Sequence, residues 1–212
     1  IERGNLIAAN LALNSLPFPL RNWEHRYLTR RAQGTPLHLE GQVGQCLSAR
    51  FSPDGQWVAS GGQDGVLRLW NANTGRLEKS LEGHAQMIDD LAFGPDQRLA
   101  TVDVDGTLIL WDLNTDRALH TIQVPTPPQL MLDFARDGKF LATGGFDGTV
   151  RLWDCETGQE KQEFSVGPGQ VHSLSIHPDC SRIAVTVWKD GTGEVKVFAA
   201  ADGLLCMVLL LM

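Results

Sequence analysis

The sequence lacks the patterns that usually hold a structural metal ion. Its four cysteines are scattered without a Cys-x-x-Cys pair, and its six histidines include no His-Glu-x-x-His. We therefore predict no metal site, and we expect four small, buried core residues at Cys46, Cys155, Cys180 and Cys206. An even number of cysteines also permits disulfides, but the spacing favours no particular pairing.

Signatures of catalysis are missing as well. The chain contains no Walker loop, no Gly-x-Ser-x-Gly and no set of protein-kinase motifs. Residues 133–135 read Asp-Phe-Ala, which is close to the kinase Asp-Phe-Gly, but the companion motifs are absent and we assign these residues to a core strand. The sequence therefore predicts a chain without catalytic residues and without a cofactor.

The sequence has too little positive charge for a nucleic-acid-binding surface. Its formal net charge is -7, and residues 1–33 carry five arginines against two glutamates, which gives +3 there and -10 in the remainder. An acidic surface repels a phosphate backbone, so we exclude nucleic acid as a partner. The apolar run at 204–212 has only nine residues, whereas a membrane-spanning helix needs about 20.

The chain begins with Ile rather than Met, and we expect it to be a piece of a longer protein. For this piece we expect a cytoplasmic location. The alternative is a protein tethered to a membrane through a segment upstream of residue 1.

The chain does contain one β-hairpin pattern in four copies. The clearest copy, FLATGGFDGTVRLWDC at 140–155, has two strand-type runs around an Asp-Gly turn. The turn aspartates are spaced by 41, 42 and 43 residues, at Asp64, Asp105, Asp147 and Asp190. The closing aromatic residues keep a similar period, at Trp70, Trp111, Trp153 and Phe198. A period near 40 that closes on Trp-Asp predicts the blades of a β-propeller.

These repeats resemble the WD40 repeat family over about residues 35–212. The resemblance implies an all-β fold of four-stranded blades, each innermost at its first strand, which we place at 42–83, 84–125, 126–167 and 168–212. Residues 35–41 read as one additional strand from a closing blade. Because the fourth blade already has four strands of its own, we expect an incomplete propeller whose missing blades come from the rest of the full-length protein.

The first 33 residues differ from the repeats. Residues 1–15 are rich in Ala, Leu and Asn, and residues 20–32 place Trp23 and Tyr27 on one helical face, so we predict a helical N-terminal segment or linker. Its arginines form a solvated face, with an anion site as the alternative. Residues 20–28, LRNWEHRYL, resemble the junction that leads into the WD40 region of bacterial, planctomycete-type serine/threonine protein kinases.

The WD40 resemblance also implies a structural tetrad of hydrogen-bonded side chains inside a blade. In the second blade its members are His84, Thr101, Asp105 and Trp111. Partial tetrads are expected from Ser60, Asp64, Trp70, Thr143, Asp147, Trp153 and Asp190. The tetrad contains the residue types of a Ser-His-Asp triad, but a hydroxyl buried within a blade leaves no room for a substrate. We therefore expect a structural role.

The predicted function is that of a non-catalytic protein-interaction or scaffolding module, as the sensory or scaffold part of a larger bacterial kinase. One alternative is a part of an enzyme whose kinase domain lies upstream, and another is a structural propeller without a partner. We expect a protein or peptide partner on the rim that carries the loops before each first strand and between each second and third strand. The candidate residues are Gln63, Val104, Phe146, Trp188, Lys189, Gln86, Met87, Gln129 and Gln170. The alternative for Phe146 and Trp188 is that they fold onto neighbouring blades.

Overall fold

The computed structural model describes residues 39, 41, 43–125 and 130–210. The predicted helical segment at 1–33 lies outside these residues, as does most of the predicted closing strand at 35–41. All structural statements below concern the described residues.

The described repeats form four antiparallel sheets of four strands each, and the strands lie in sequence order within each sheet. Blade one contains β1 Cys46–Phe51, β2 Trp57–Gly62, β3 Leu67–Asn71 and β4 Leu77–Leu81. Blade two contains β5 Ile88–Phe93, β6 Arg98–Asp103, β7 Thr107–Asp112 and β8 Arg117–Gln123. Blade three contains β9 Leu130–Phe134, β10 Phe140–Gly145, β11 Thr149–Asp154 and β12 Glu160–Ser165. Blade four contains β13 Gln170–Ile176, β14 Arg182–Lys189, β15 Thr192–Ala199 and β16 Leu205–Leu210. The prediction of four antiparallel, four-stranded blades is confirmed.

The Asp-Gly turns connect the second and third strands of the blades. Gly148 has a φ of 71°, and a Cβ at this position would lie 2.6 Å from the carbonyl oxygen of Gly169, so only glycine fits the turn. In blade four, Lys189 pairs with Thr192 around a two-residue turn. Both β14 and β15 have eight residues, against six in β10 and β11. The hairpin between the second and third strands is therefore longer in blade four than in blade three.

Each blade has a forward face, towards the next blade along the chain, and a backward face, towards the preceding one. The forward face of blade two contributes Ala100, Val102, Leu108 and Leu110 to one buried cluster, and the backward face of blade three contributes Leu132, Phe134, Leu141 and Trp153 to the same cluster. Similar clusters lie between blades one and two and between blades three and four. Among the described residues, the buried clusters therefore lie at the three blade-to-blade interfaces.

The three interfaces share one packing element. An alanine on the second strand of one blade belongs to the same cluster as the large residue that ends the first strand of the next blade. The pairs are Ala59 with Phe93, Ala100 with Phe134, and Ala142 with Ile176. A small residue thus receives a large one from the next sheet, which is how densely packed interiors avoid voids.

Two aspartates in first strands tie neighbouring blades together. Asp90 Oδ1 accepts a hydrogen bond from Ser48 Oγ of blade one at 2.9 Å, and Asp90 Oδ2 accepts one from Leu132 N of blade three at 3.2 Å. Asp133 Oδ2 accepts one from Ile176 N of blade four at 2.8 Å. Because hydrogen bonds to a charged group contribute about 1.5–3 kcal/mol, these carboxylates help to fix the spacing of the blades.

Candidate interaction site and its supporting tetrad

A chain of three hydrogen bonds runs through the interior of blade two. Trp111 Nε1 donates to Thr101 Oγ1 at 2.8 Å, and Thr101 Oγ1 lies 2.6 Å from His84 Nε2. His84 Nδ1 lies 3.0 Å from Asp103 Oδ2. The donors and acceptors match if the Thr101 hydroxyl donates to Nε2 of a neutral imidazole whose Nδ1–H is donated to the carboxylate.

The carboxylate of this tetrad belongs to Asp103, and the assignment to Asp105 was wrong. Side chains alternate along a strand, so Thr101 and Asp103 share one face of β6, and Asp103 is 1% exposed. Asp105 lies in the turn beyond the strand and is exposed. The position two residues before the turn aspartate is occupied by Gly62 in blade one and by Gly145 in blade three, so the repeat pattern gives no sign of this carboxylate.

Asp103 also holds the turn that follows it. Its Oδ1 accepts the N–H of Asp105 at 3.1 Å and the N–H of Thr107 at 2.8 Å. The intervening Val104 N donates to Met87 O at 3.1 Å, which joins this turn to the loop before β5. The buried tetrad is therefore connected directly to two loops of the predicted partner-binding rim.

Burial lowers the pKa of His84, and the hydrogen bond and charge of Asp103 oppose this effect without reversing it. The imidazole is therefore neutral at physiological pH. Its side chain is enclosed between Thr101 and Asp103 and leaves no open position beside the hydroxyl. A structural role follows from this geometry.

Blades one and three each keep only part of the tetrad. Trp70 Nε1 donates to Ser60 Oγ at 2.8 Å, and Trp153 Nε1 donates to Thr143 Oγ1 at 2.9 Å. In both blades an arginine of the third strand forms an ion pair with the aspartate of the Asp-Gly turn.

Arg68 lies 2.7 Å from Asp64 and Arg151 lies 3.2 Å from Asp147, and both arginine side chains are buried. Burial raises the pKa of Asp64, but hydrogen bonds from Arg68 and from a backbone N–H lower it by more, so the net pKa lies below its ordinary value. Blade two has Ile109 at the arginine position. A basic residue among the apolar residues of the third strand, Arg68 or Arg151, could have indicated these ion pairs, but the sequence interpretation missed it.

Blade four has neither the hydroxyl nor the tryptophan. Ile183 pairs with Phe198 as Leu141 pairs with Trp153, so Val185 occupies the place of the threonine. Asp190 is in the hairpin turn with a φ of 49°.

The loops before each first strand and the turns between each second and third strand lie on one rim, which carries the predicted binding residues and which we call the loop rim. Gln63, Gln86, Lys189 and Gln170 are exposed, Val104 and Met87 are half-buried, and Gln129 lies outside the described residues. Phe146 is half-buried, and its ring centroid lies 4.8 Å from that of the exposed His172 of blade four. Phe146 thus packs against the neighbouring blade, as the alternative interpretation expected, and both rings of the pair remain partly accessible to solvent.

Trp188 lies on a different surface from Phe146. It follows Ala184 and Thr186 in steps of two along β14, so its ring belongs to the forward face of blade four, where it is 50% exposed. The loop rim therefore centres on Phe146 and His172 rather than on both large aromatic residues.

The cysteines form no disulfide, and all four are free. Cys46 and Cys206 are exposed and Cys180 is half-buried, so the expectation of four buried cysteines holds for Cys155 and was wrong for the other three. Burial raises the pKa of the Cys155 thiol to about 12.

Within the described ranges, no group of three or more His, Cys, Asp or Glu could hold a metal ion. No helix in the described part of the chain has the length and apolar character needed to cross a membrane.

Comparison with known proteins gives a consistent result. A family model described as "WD domain, G-beta repeat" matches residues 34–71, 75–112 and 120–154, and so ends with the third strand of blade three and does not include blade four. A WD repeat-containing protein SL1-17 from Schistosoma mansoni is 32% identical over 167 residues, which is 78% of this chain and 54% of that protein. Periodic tryptophan protein 2 from Arabidopsis thaliana is 29% identical over 77% of this chain and 19% of its own length. The Transcriptional corepressor LEUNIG_HOMOLOG, also from Arabidopsis thaliana, is 34% identical over 45% of this chain and 12% of its own length. The chain thus spans about half or less of these curated relatives.

Proposed function

The chain belongs to the WD40-repeat family, and from this premise we propose that it is a non-catalytic interaction scaffold that binds a protein or peptide partner on the loop rim around Phe146. One relative is named a transcriptional corepressor, which agrees with a role exercised through other proteins. Loops on a rigid β-scaffold are common binding surfaces, because the scaffold fixes loops whose sequences are free to vary.

The observation that carries this proposal is the contact of Phe146 with His172. The two rings come from different blades and meet at 4.8 Å between centroids, tilted by 42°. A half-buried phenylalanine that is already held by its neighbour loses little side-chain freedom when a partner binds. Aromatic residues, phenylalanine among them, are enriched at protein–protein interfaces.

The buried tetrad supports the same surface from below. Asp103 fixes the turn that contains Val104, and that turn is bonded to the loop of Met87. In blades one and three the Arg68–Asp64 and Arg151–Asp147 pairs occupy the corresponding turns. We infer that these buried charges contribute to function by keeping the rim loops in one arrangement.

The proposal is tested by selecting peptides from a phage-displayed library on the immobilised chain. The selected peptide is then titrated against the wild type, Phe146→Ser and the control Asp137→Ser, which alters an exposed turn at the opposite rim. We expect Phe146→Ser to weaken binding at least about tenfold, equivalent to ~1.4 kcal/mol, and Asp137→Ser to leave it unchanged. Equal losses in both variants, or a loss only in Asp137→Ser, would contradict the assignment.

A narrower hypothesis concerns the full-length protein. The LRNWEHRYL segment at 20–28 supports a bacterial serine/threonine kinase with its kinase domain upstream and further blades beyond the four described. Sequencing the gene upstream of Ile1 tests this, because a complete set of kinase motifs is expected there. Phosphate transfer by this chain alone would contradict the non-catalytic assignment.

A further inference from the structure

One position of the third strand distinguishes blade two from the other blades. Strand pairing aligns this position with Thr101 of blade two and with the equivalent residue of each other second strand. The residues there are, in blade order, Arg68, Ile109, Arg151 and Lys196. The position is therefore basic in three blades and apolar in blade two, where Ile109 is 2% exposed and belongs to the buried cluster between blades one and two.

In blades one and three the basic residue pairs with the aspartate of the Asp-Gly turn. Arg68 lies 2.7 Å from Asp64 in blade one, and Arg151 lies 3.2 Å from Asp147 in blade three. Both arginine side chains are buried, so each pair is anchored in the interior of its blade. Each of these turns therefore has a counter-ion for its aspartate within its own blade.

Asp105 of blade two has no such counter-ion. It is exposed, and no ion pair to its carboxylate lies within the part of the chain that the structure describes. Its backbone is nevertheless fixed, because Asp103 Oδ1 accepts its N–H at 3.1 Å and Gln123 Nε2 donates to its carbonyl oxygen at 2.7 Å. The turn itself therefore needs no ordering when a cation from a partner pairs with this carboxylate.

The rest of the loop rim adds negative charge at blade two. Glu82, at the start of the loop before β5, is exposed and has no ion pair among the described residues. Among the described residues of the rim, the one lysine or arginine is Lys189, which lies two blades away beside Asp190. The uncompensated charge of the rim is therefore acidic, and it lies next to the blade that carries Phe146.

We propose that the partner on the loop rim is a basic segment, which places a lysine or arginine at Asp105 and an apolar side chain against Phe146. The inference rests on the proposed function, because it names the chemistry of the segment that this function requires. The cation of the partner takes the role that Arg68 and Arg151 have in their own blades. An acidic or phosphorylated segment would instead meet Asp105 and Glu82 with like charge, which opposes association.

The positions of Asp105 and Phe146 set the spacing expected in the segment. The two residues belong to the same turn in adjacent blades. Packed sheets lie about 10 Å apart, and an extended chain advances ~3.3 Å per residue. Because blades arranged around a ring diverge outwards, we expect the basic and the apolar residue to stand about three to five positions apart.

Peptides selected on the chain from a random phage-displayed library test the proposal. Those whose binding is lost in Phe146→Ser are expected to share a lysine or arginine at this spacing. One such peptide is titrated by fluorescence anisotropy against wild type, Asp105→Asn and the control Asp137→Asn, which makes the same charge change at the opposite rim. We expect Asp105→Asn to weaken binding about three- to fivefold, as for a partly exposed ion pair, and Asp137→Asn to leave it within about twofold.

Salt dependence and an exchange of charges separate a direct ion pair from a structural effect. The difference between wild type and Asp105→Asn should shrink as salt rises from about 0.05 M to about 0.5 M, because exposed charges are then screened. Asp105→Lys should bind a peptide whose basic residue is replaced by glutamate more tightly than the wild type does. Far-UV circular dichroism checks that each variant is folded, as expected for changes at an exposed turn residue.

The possible outcomes distinguish this inference from the proposed function. Equal effects of Asp105→Asn and Asp137→Asn, or Phe146-dependent peptides without a basic residue, would overturn the basic segment and leave the loop rim as the binding surface. Enrichment of acidic peptides would overturn it too. A library that yields no Phe146-dependent peptide would contradict the proposed function, and this inference with it.

Discussion

Replacing Asp103 with alanine tests the tetrad at the residue on which both the core and the loop rim depend. The carboxylate receives hydrogen bonds from His84 and from the N–H groups of Asp105 and Thr107. Its removal leaves a buried imidazole N–H unpaired, at a cost of about 1–3 kcal/mol, and removes charge-assisted bonds within the turn. Since the turn N–H groups can partly recover bonds to water, we expect a total loss of about 3–5 kcal/mol, which adds the unpaired imidazole N–H to charge-assisted bonds worth about 1.5–3 kcal/mol each.

The assay is urea unfolding followed by tryptophan fluorescence at neutral pH, with Asp105→Ala as the matched control. Asp105 is exposed, and its replacement is expected to change the unfolding free energy by less than about 0.5 kcal/mol. A double-mutant cycle with His84→Ala should give a coupling of about 1–3 kcal/mol. A loss below about 1 kcal/mol for Asp103→Ala, or an equal loss for Asp105→Ala, would refute the assignment of the tetrad carboxylate.

Three further predictions concern the same core. Trp111→Ala is expected to cost about 3–5 kcal/mol in a denaturant melt because it removes a buried aromatic residue, and a cost under about 1 kcal/mol would contradict the buried position. The pKa of His84 is lowered from 6.5 in the folded state, so the folded chain binds fewer protons than the unfolded chain. The free energy of unfolding should therefore fall as the pH drops below 6.5 towards the lowered folded pKa. His84→Gln should make the unfolding free energy less dependent on pH in this range. An unchanged pH dependence in this variant would argue against a buried neutral imidazole. Arg151→Met is expected to lower the free energy of unfolding by about 2–3 kcal/mol because it leaves Asp147 without its buried cation. The control Arg117→Met, at an exposed arginine, should change it by less than about 0.5 kcal/mol. Similar values for both variants would contradict the role of the buried pair.

The repeat pattern was sufficient to predict the blades, because two signals coincide in each copy. An Asp-Gly turn at a period near 40 fixes the hairpin, and the alternating apolar residues around it fix the strands. Even blade four, which lies outside the family-model match, forms its predicted sheet. Its Asp190-Gly191 turn and strand alternation are intact although its tryptophan is replaced by Phe198.

The side-chain partners were less predictable, since they depend on which face a residue takes. Asp103 and Asp105 stand two positions apart around the end of a strand, and only the geometry of the turn separates the buried one from the exposed one. Arg68 and Arg151 hold the turn aspartates of their own blades, and the signal for these two pairs was a basic residue among the apolar residues of a third strand. The orientation of Trp188 could have been found by counting alternate positions along the longer hairpin of blade four.

Hydrogen–deuterium exchange of the chain, with and without a peptide selected on it, tests the interaction site most directly. The peptide is expected to slow exchange at the loop around Phe146 and at the start of β13 beside His172. Exchange at the opposite rim, in the turns around Asp54 and Asp137, should stay the same. Protection confined to the opposite rim, or spread equally over both rims, would contradict the placement of the partner on the loop rim.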